Sequence, residues 1–376
     1  MSPVALHASR VLTPDGFQPE WCVVVDDGLI MDVMPSGQCP ANLEQRQLAG
    51  DLLPGFIDLQ VNGGGGILFN DHPTIDGIAA IGAAHRRFGT TGFLPTLISD
   101  DLGTVERAIR AVDAAIEGGI PGVLGIHIEG PFLSRAKKGI HDASKFRALD
   151  EQALRLLASL RHGRTMVTLA PELAPPGAIR ALVDHGVIVA AGHTAATYDD
   201  LQVAFDEGLS GFTHLFNAMT QLESREPGAV GAALDHRASW CGVIVDGHHV
   251  HPATLRIALA AKGAERLALV TDAMPVVGSD QTEFWLGGQR ISCDGDRCAA
   301  ADGTLAGSNL NMAAAVRNAV RLMDVDLATA VRMASAVPAS VLGLAAERGS
   351  IKAGMRADLV LVDTGNNVLE SWIPGR

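Results

Sequence analysis

The sequence predicts an α/β protein: a (β/α)8 barrel of the TIM type, with a small β-sandwich domain built from the N- and C-terminal segments. Three observations carry this reading. Apolar runs of strand length alternate with stretches of helical spacing through the middle of the chain, as in a parallel sheet wrapped by helices. Eight such runs can be found, and eight is the number that closes a barrel. Both ends of the chain are β-type, so they are placed together in one accessory domain.

The first segment holds short β-type runs, Trp21-Cys22-Val23-Val24-Val25 and Leu29-Ile30-Met31-Asp32-Val33. Turn signals at Asp26-Asp27-Gly28 and Pro35-Ser36-Gly37 break them. The last segment, residues 349–363, is again turn then strand. We assign residues 1–52 and 340–376 to the small domain and 53–339 to the barrel. The barrel strands are expected near residues 55–61, 93–98, 123–129, 166–171, 187–193, 211–215, 241–245 and 267–272. Helical patterns fall at 75–88, 105–116, 151–160, 178–185 and 252–262. Residues 281–301 read as an inserted hairpin, followed by helices around 309–323 and 327–334.

Composition bounds the function. Of 376 residues 47% are hydrophobic and 19% charged, which fits a globular chain with a large interior. No apolar stretch is long enough for a membrane span, and Met1-Ser2-Pro3-Val4 lacks the features of a signal peptide, so a cytoplasmic protein is expected. A net charge of −13 argues against nucleic acid as a partner, since no broad cationic field is available for a phosphate backbone. The five cysteines, Cys22, Cys39, Cys241, Cys293 and Cys298, show no CxxC spacing and leave an odd one over. This argues against a disulfide framework and against a cysteine zinc site. Thirteen histidines keep a metal in view.

Barrel enzymes build their sites at the carboxyl ends of the strands. The third run ends on Glu129, stopped at once by Gly130-Pro131. The fifth ends at His193, the sixth continues into His214, and the eighth ends at Asp272. Glu129, His193 and His214 supply an oxygen and two imidazoles, a donor mixture suited to Zn²⁺ and acceptable to Fe²⁺ or another divalent ion. Asp272 beside them is placed to take a proton from water and return it to a leaving group. His141, a short loop beyond Glu129, can donate to a developing oxyanion. Arg225 and His249 follow the sixth and seventh strands and can clamp an anion, though Arg225 is flanked by Glu223 and Glu226. The run 302–309 is read as opening a helix, with backbone N–H groups for a ligand or with Ser308 as its cap.

Six motifs in order then resemble a known family: PGFIDLQVNG (54–63), HIEGPF (127–132), GH (192–193), THLFNAM (213–219), DGHHV (246–250) and TDAM (271–274). They resemble the N-acetylglucosamine-6-phosphate deacetylases of the amidohydrolase superfamily, and GSIKAGMRADLVLVD (349–363) resembles the closing β segment of that superfamily. The resemblance implies one divalent metal on Glu129, His193 and His214, with Asp272 as general base and then acid. It implies that His141 polarises the amide carbonyl. It implies substrate-site roles for Gln60, Asn62, Gly130, Asn217, Ala218 and Leu305, with Gln60 as a positioning residue or an indirect, water-mediated partner. It also implies a phosphate site at Arg225 and His249, and a homodimer that shares that pocket. Many amidohydrolases carry His-x-His at the end of the first strand; here Gln60 and Asn62 stand there, so one metal rather than two is expected. The alternatives are deacetylation of N-acetylgalactosamine 6-phosphate or another N-acyl compound, and a non-catalytic scaffold.

Overall fold

The computed structural model describes residues 3–374; Met1, Ser2, Gly375 and Arg376, which belong to the spans assigned to the small domain, lie outside the described residues. Eight parallel strands form one sheet in chain order: Phe56–Val61, Thr90–Ile98, Gly125–Glu129, Arg164–Leu169, Ile188–Ala191, Gly211–Phe212, Trp240–Ile244 and Leu267–Val270. The first and last strands meet through Asp272 N–H to the Gln60 carbonyl at 3.0 Å and Asn62 N–H to the Ala273 carbonyl at 2.9 Å. These closing bonds set the ends of strands one and eight side by side, which brings Gln60, Asn62 and Asp272 together.

The elements form where local chemistry dictates. All six residues of Phe56–Val61 are buried, as expected for a strand covered on both faces. The helix Leu102–Glu117 starts at Asp101, whose Oδ1 accepts the Thr104 N–H at 2.9 Å, a cap worth about 1 kcal/mol. It buries Leu102, Val105, Ala108, Ile109 and Val112, the three-and-four spacing of one helical face, and Gly118 caps its end.

The small domain is one continuous six-stranded sheet from Val4–Thr13, Gly16–Asp26, Leu29–Pro35, Glu44–Pro54, Leu359–Val362 and Val368–Trp372. It has its own apolar core, including Leu6, Val11, Val23, Ile30, Leu52, Leu359 and Leu361. Val337, Ala339 and Leu342 still pack into the barrel core, and the small-domain core resumes at Ile351.

Three expectations need correction. The insertion after the eighth strand is a four-stranded antiparallel sheet rather than a hairpin, because Leu305–Ser308 pairs back onto Arg297–Ala300. The run 302–309 therefore ends in a strand and opens no helix. The next helix, Met312–Asn318, is capped by Asn311, whose Oδ1 accepts the Ala314 N–H at 3.0 Å, while the Ser308 hydroxyl donates to the Thr271 carbonyl at 2.6 Å. Finally, Cys293 and Cys298 form a disulfide. They are direct cross-strand partners on either side of the turn at Gly295, so strand pairing brings together a pair that the cysteine count gave no reason to join.

Candidate active site

One cavity opens at the carboxyl ends of the barrel strands. Its lining includes Glu129, His193, His214, His141, Asp272, Asn62, Asn217, Ala218, His249 and Leu305. Ten of the thirteen residues singled out in the sequence thus face one space. Gln60 lies just beneath it, bonded to two of the lining residues. Gly130 is buried beside it but not in the wall, and Arg225 is exposed and outside it.

Glu129 Oε1 lies 3.1 Å from His193 Nε2 and 2.9 Å from His214 Nε2, and the two nitrogens are 3.0 Å apart. His193 Nδ1 donates to the Lys137 carbonyl at 2.9 Å, which leaves Nε2 of the neutral ring as a lone pair aimed at the cluster. Burial alone would raise the Glu129 carboxyl, yet hydrogen bonds from His193 and His214 outweigh it and hold the group well below the usual carboxylate range. Burial lowers His214, and the Glu129 contact more than reverses this. One buried carboxylate oxygen and two imidazole nitrogens converging within bonding reach of a common point are a fitting donor set for a divalent cation.

His193, His214 and Asp272 have φ of 48°, 35° and 52°, left-handed backbone that side-chain-bearing residues rarely adopt. Each turns the chain sharply at the end of its strand and directs the side chain over the barrel mouth. The turn after His193 is pinned by Glu172, which accepts from the Thr194 hydroxyl at 2.5 Å and the Ala195 N–H at 2.7 Å.

Asp272 Oδ1 accepts from the Asn62 amide at 2.6 Å and from the Gln60 amide at 3.1 Å, and Oδ2 has no protein hydrogen-bond partner among the described residues. Burial first, then the charge of Glu129, push its carboxyl up to about 6. His141 is buried, and that burial, reinforced by His193, drives it well below the usual histidine range, so it is a neutral imidazole. His249 donates from Nδ1 to Asp246 Oδ2 at 2.6 Å, and Asp246 Oδ1 also accepts the backbone N–H groups of His248 and His249.

Sequence reasoning missed Ser99, which follows the second barrel strand with its hydroxyl 2.7 Å from His141 Nδ1, and Glu172, which follows the fourth. The strand-end rule used for Glu129 and Asp272 would have found both. A second His/Cys grouping, His7, Cys22 and Cys39, sits in the small domain. There His7 is satisfied by Ser36 and Gln45, and the Cys39 thiol by Gln45.

Residues 52–374 match the sequence model of the amidohydrolase family. The chain belongs to the amidohydrolase family. An N-acetylgalactosamine-6-phosphate deacetylase from a Shewanella species is 42% identical over 98% of this chain and 94% of its own length. The crystal structure of N-acetylglucosamine-6-phosphate deacetylase from Pasteurella multocida superimposes with a TM-score of 0.95 at 34% identity, over 99% of this chain and 98% of that one. A mutant of the Mycobacterium smegmatis enzyme of the same name, in complex with N-acetyl-D-glucosamine-6-phosphate, gives a TM-score of 0.91 at 34% identity over 100% and 99%. The eight-stranded barrel with an attached β domain is the architecture of this amidohydrolase. Among its described residues no helix is long and apolar enough to cross a membrane.

Proposed function

We propose that this amidohydrolase removes the acetyl group from N-acetyl-D-glucosamine 6-phosphate, giving D-glucosamine 6-phosphate and acetate, in cytoplasmic amino-sugar catabolism. The observation that carries the reading is the meeting of Asp272, His141 and the Glu129–His193–His214 cluster in one cavity. A divalent cation held by Glu129, His193 and His214, Zn²⁺ in this reading with Fe²⁺ or another divalent ion as the alternative, would acidify water and stabilise negative charge on the amide oxygen.

The protein's own groups supply the rest. Asp272 has one oxygen committed to Gln60 and Asn62, and its free Oδ2 accepts the proton of the attacking water. As the water oxygen bonds to the carbonyl carbon, negative charge grows on the carbonyl oxygen, and His141 donates a hydrogen bond to it. Asp272 then returns its proton to the nitrogen as the C–N bond breaks, giving acetic acid and amine. The acid's remaining proton passes to the amine, so acetate and the ammonium form leave with atoms and charge balanced. Asn217, Ala218 and His249 would hold the sugar and its phosphate.

Arg225 is assigned to the phosphate across a homodimer. It is exposed, lies outside its own chain's cavity and makes no ion pair among the described residues. Neighbouring Glu226 is occupied by the backbone N–H groups of Tyr198 and Gly228. The partner subunit's Arg225 would then complete each pocket.

A second reading, N-acetylgalactosamine 6-phosphate as the substrate, is favoured by the 42% identity to the Shewanella protein, against 34% for the two glucosamine-type structures. The test is kcat/KM for both epimers, with and without the phosphate. A preference for the glucosamine epimer supports the main reading, a reversed preference the second. Failure on both by folded, metal-loaded protein removes both.

A further inference from the structure

We propose that Ser99 is a positioning residue that fixes the tautomer of His141, holding Nδ1 as an acceptor so that the ring's proton sits on Nε2 toward the cavity. For the reaction it serves, the proposal rests on the deacetylase reading.

Two groups of Ser99 meet the same ring nitrogen. The hydroxyl oxygen lies 2.7 Å from His141 Nδ1, and the backbone nitrogen lies 3.4 Å from it. A hydroxyl can rotate to donate or accept, so the first contact alone leaves the tautomer open. A backbone N–H can only donate. A proton on Nδ1 would point at that N–H, and so Nδ1 is the lone pair and the hydroxyl donates to it as well. In a neutral imidazole the proton then resides on Nε2.

Neighbouring His193 is held the other way. Its Nδ1 faces the Lys137 carbonyl, which can only accept, so its Nε2 is the lone pair. Two imidazoles with ring centroids 4.3 Å apart are therefore locked in opposite tautomers by opposite backbone groups, one as an electron-pair donor and one as a hydrogen-bond donor. The arrangement also accounts for the glycine after Glu129. A Cβ at Gly130, built at its φ of 85°, would stand 2.2 Å from the Ser99 hydroxyl, so only glycine leaves room for the bond.

The consequence is directional. With the proton on Nε2, His141 meets the developing oxyanion donor to acceptor; with the proton on Nδ1, two lone pairs would face each other at the moment charge appears. Ser99→Ala keeps only the long backbone contact and weakens the bias.

The tautomer can be read directly by ¹⁵N NMR of imidazole-labelled, zinc-loaded enzyme, with the His141 signals assigned by their loss in His141→Gln. The expected wild-type result is a protonated Nε2 and an unprotonated Nδ1. Ser99→Ala should shift His141 toward the Nδ1-protonated form and lower kcat by about tenfold, with KM and metal content little changed, since removing oxyanion stabilisation in full costs about a hundredfold or more. A proton on Nδ1 in the wild type overturns the proposal, whether or not the variant folds. So does Ser99→Ala with wild-type signals, or with altered signals and undiminished kcat. If wild-type enzyme shows the expected tautomer yet deacetylates no N-acetylhexosamine phosphate, the deacetylase reading fails and with it the role of the donor, while the Ser99–His141 geometry stands on the spectrum.

Discussion

Gln60 ties Glu129 to Asp272: its side-chain nitrogen donates to Glu129 Oε2 at 3.0 Å and to Asp272 Oδ1 at 3.1 Å. An amide has two N–H donors and can serve both carboxylates at once, with no charge of its own. Gln60 thereby couples the acid of the metal cluster to the acid proposed as the base.

Gln60→Glu would put a third carboxyl between the two, and both bonds would become repulsive unless it held a proton. The expected result is a fall in kcat/KM of about tenfold or more, with the acid limb of its pH profile moved to higher pH. A pH–rate profile matching that of the wild type would show that Gln60 does not couple the pair.

Asp272 supplies a pH dependence of its own. Its carboxyl is raised to about 6 by burial and by Glu129, so it is protonated below that value and cannot accept a proton there. Activity should therefore fall as pH drops through this region. A cation bound alongside favours the carboxylate and places the limb lower in the loaded enzyme. The check is kcat/KM against pH with two different metals, which should give limbs at different positions. Activity rising toward low pH would contradict the assignment.

Asp58 bears on stability rather than chemistry. It is fully buried in the first barrel strand, accepts from the Thr271 hydroxyl at 2.5 Å, and burial pushes its carboxyl up to about 7 despite that bond. The unfolded chain loses this proton near the ordinary value of about 4, while the native state keeps it to about 7. Between those values the native state binds more protons, so this group's contribution is present at low pH and lost as pH rises. Relative to Asp58→Asn, wild-type stability from urea unfolding should decline by a few kcal/mol across that window. A pH-independent difference between the two would contradict the buried, protonated carboxyl.

Arg225→Ala should raise KM for phosphorylated sugars and leave unphosphorylated ones nearly unaffected. If Arg225 serves the neighbouring copy, mixing Arg225→Ala with Asp272→Asn should recover activity, because mixed dimers contain one pocket with both residues intact. Inactive mixtures that demonstrably exchange subunits would confine Arg225 to its own chain or remove it from the phosphate.

The barrel was legible because its strands are short apolar runs between turn signals, and all eight fall where the alternation put them. Pro252–Lys262 and Leu327–Ala334 were likewise marked by their spacing. Gly228–Asp235 was not, since GAVGAALD is small and buried on nearly all sides and so carries no amphipathic period. Tyr198–Asp206 did carry a signal, the capping box of Thr197 and Asp200, that a search for apolar spacing passes over. Candidate site residues at strand ends were readable because the fold fixes where strand ends point. Arg225 lies on an exposed loop, where no such rule places a side chain, whereas Ser99 directly follows the second strand, within reach of the same rule, and its contact with His141 shows what it does there. The Cys293–Cys298 bridge depends on cross-strand register, which counting cysteines does not supply.

The central claim is that Asp272 acts as the proton carrier beside a metal held by Glu129, His193 and His214. The most direct measurement is acetate release from N-acetyl-D-glucosamine 6-phosphate by metal-stripped protein, before and after added Zn²⁺ or Fe²⁺, for wild type and Asp272→Asn. The account predicts turnover restored by metal in the wild type, and a variant that binds the metal equally well yet turns over slower by about a thousandfold or more. Metal-loaded Asp272→Asn within about tenfold of the wild type would contradict it.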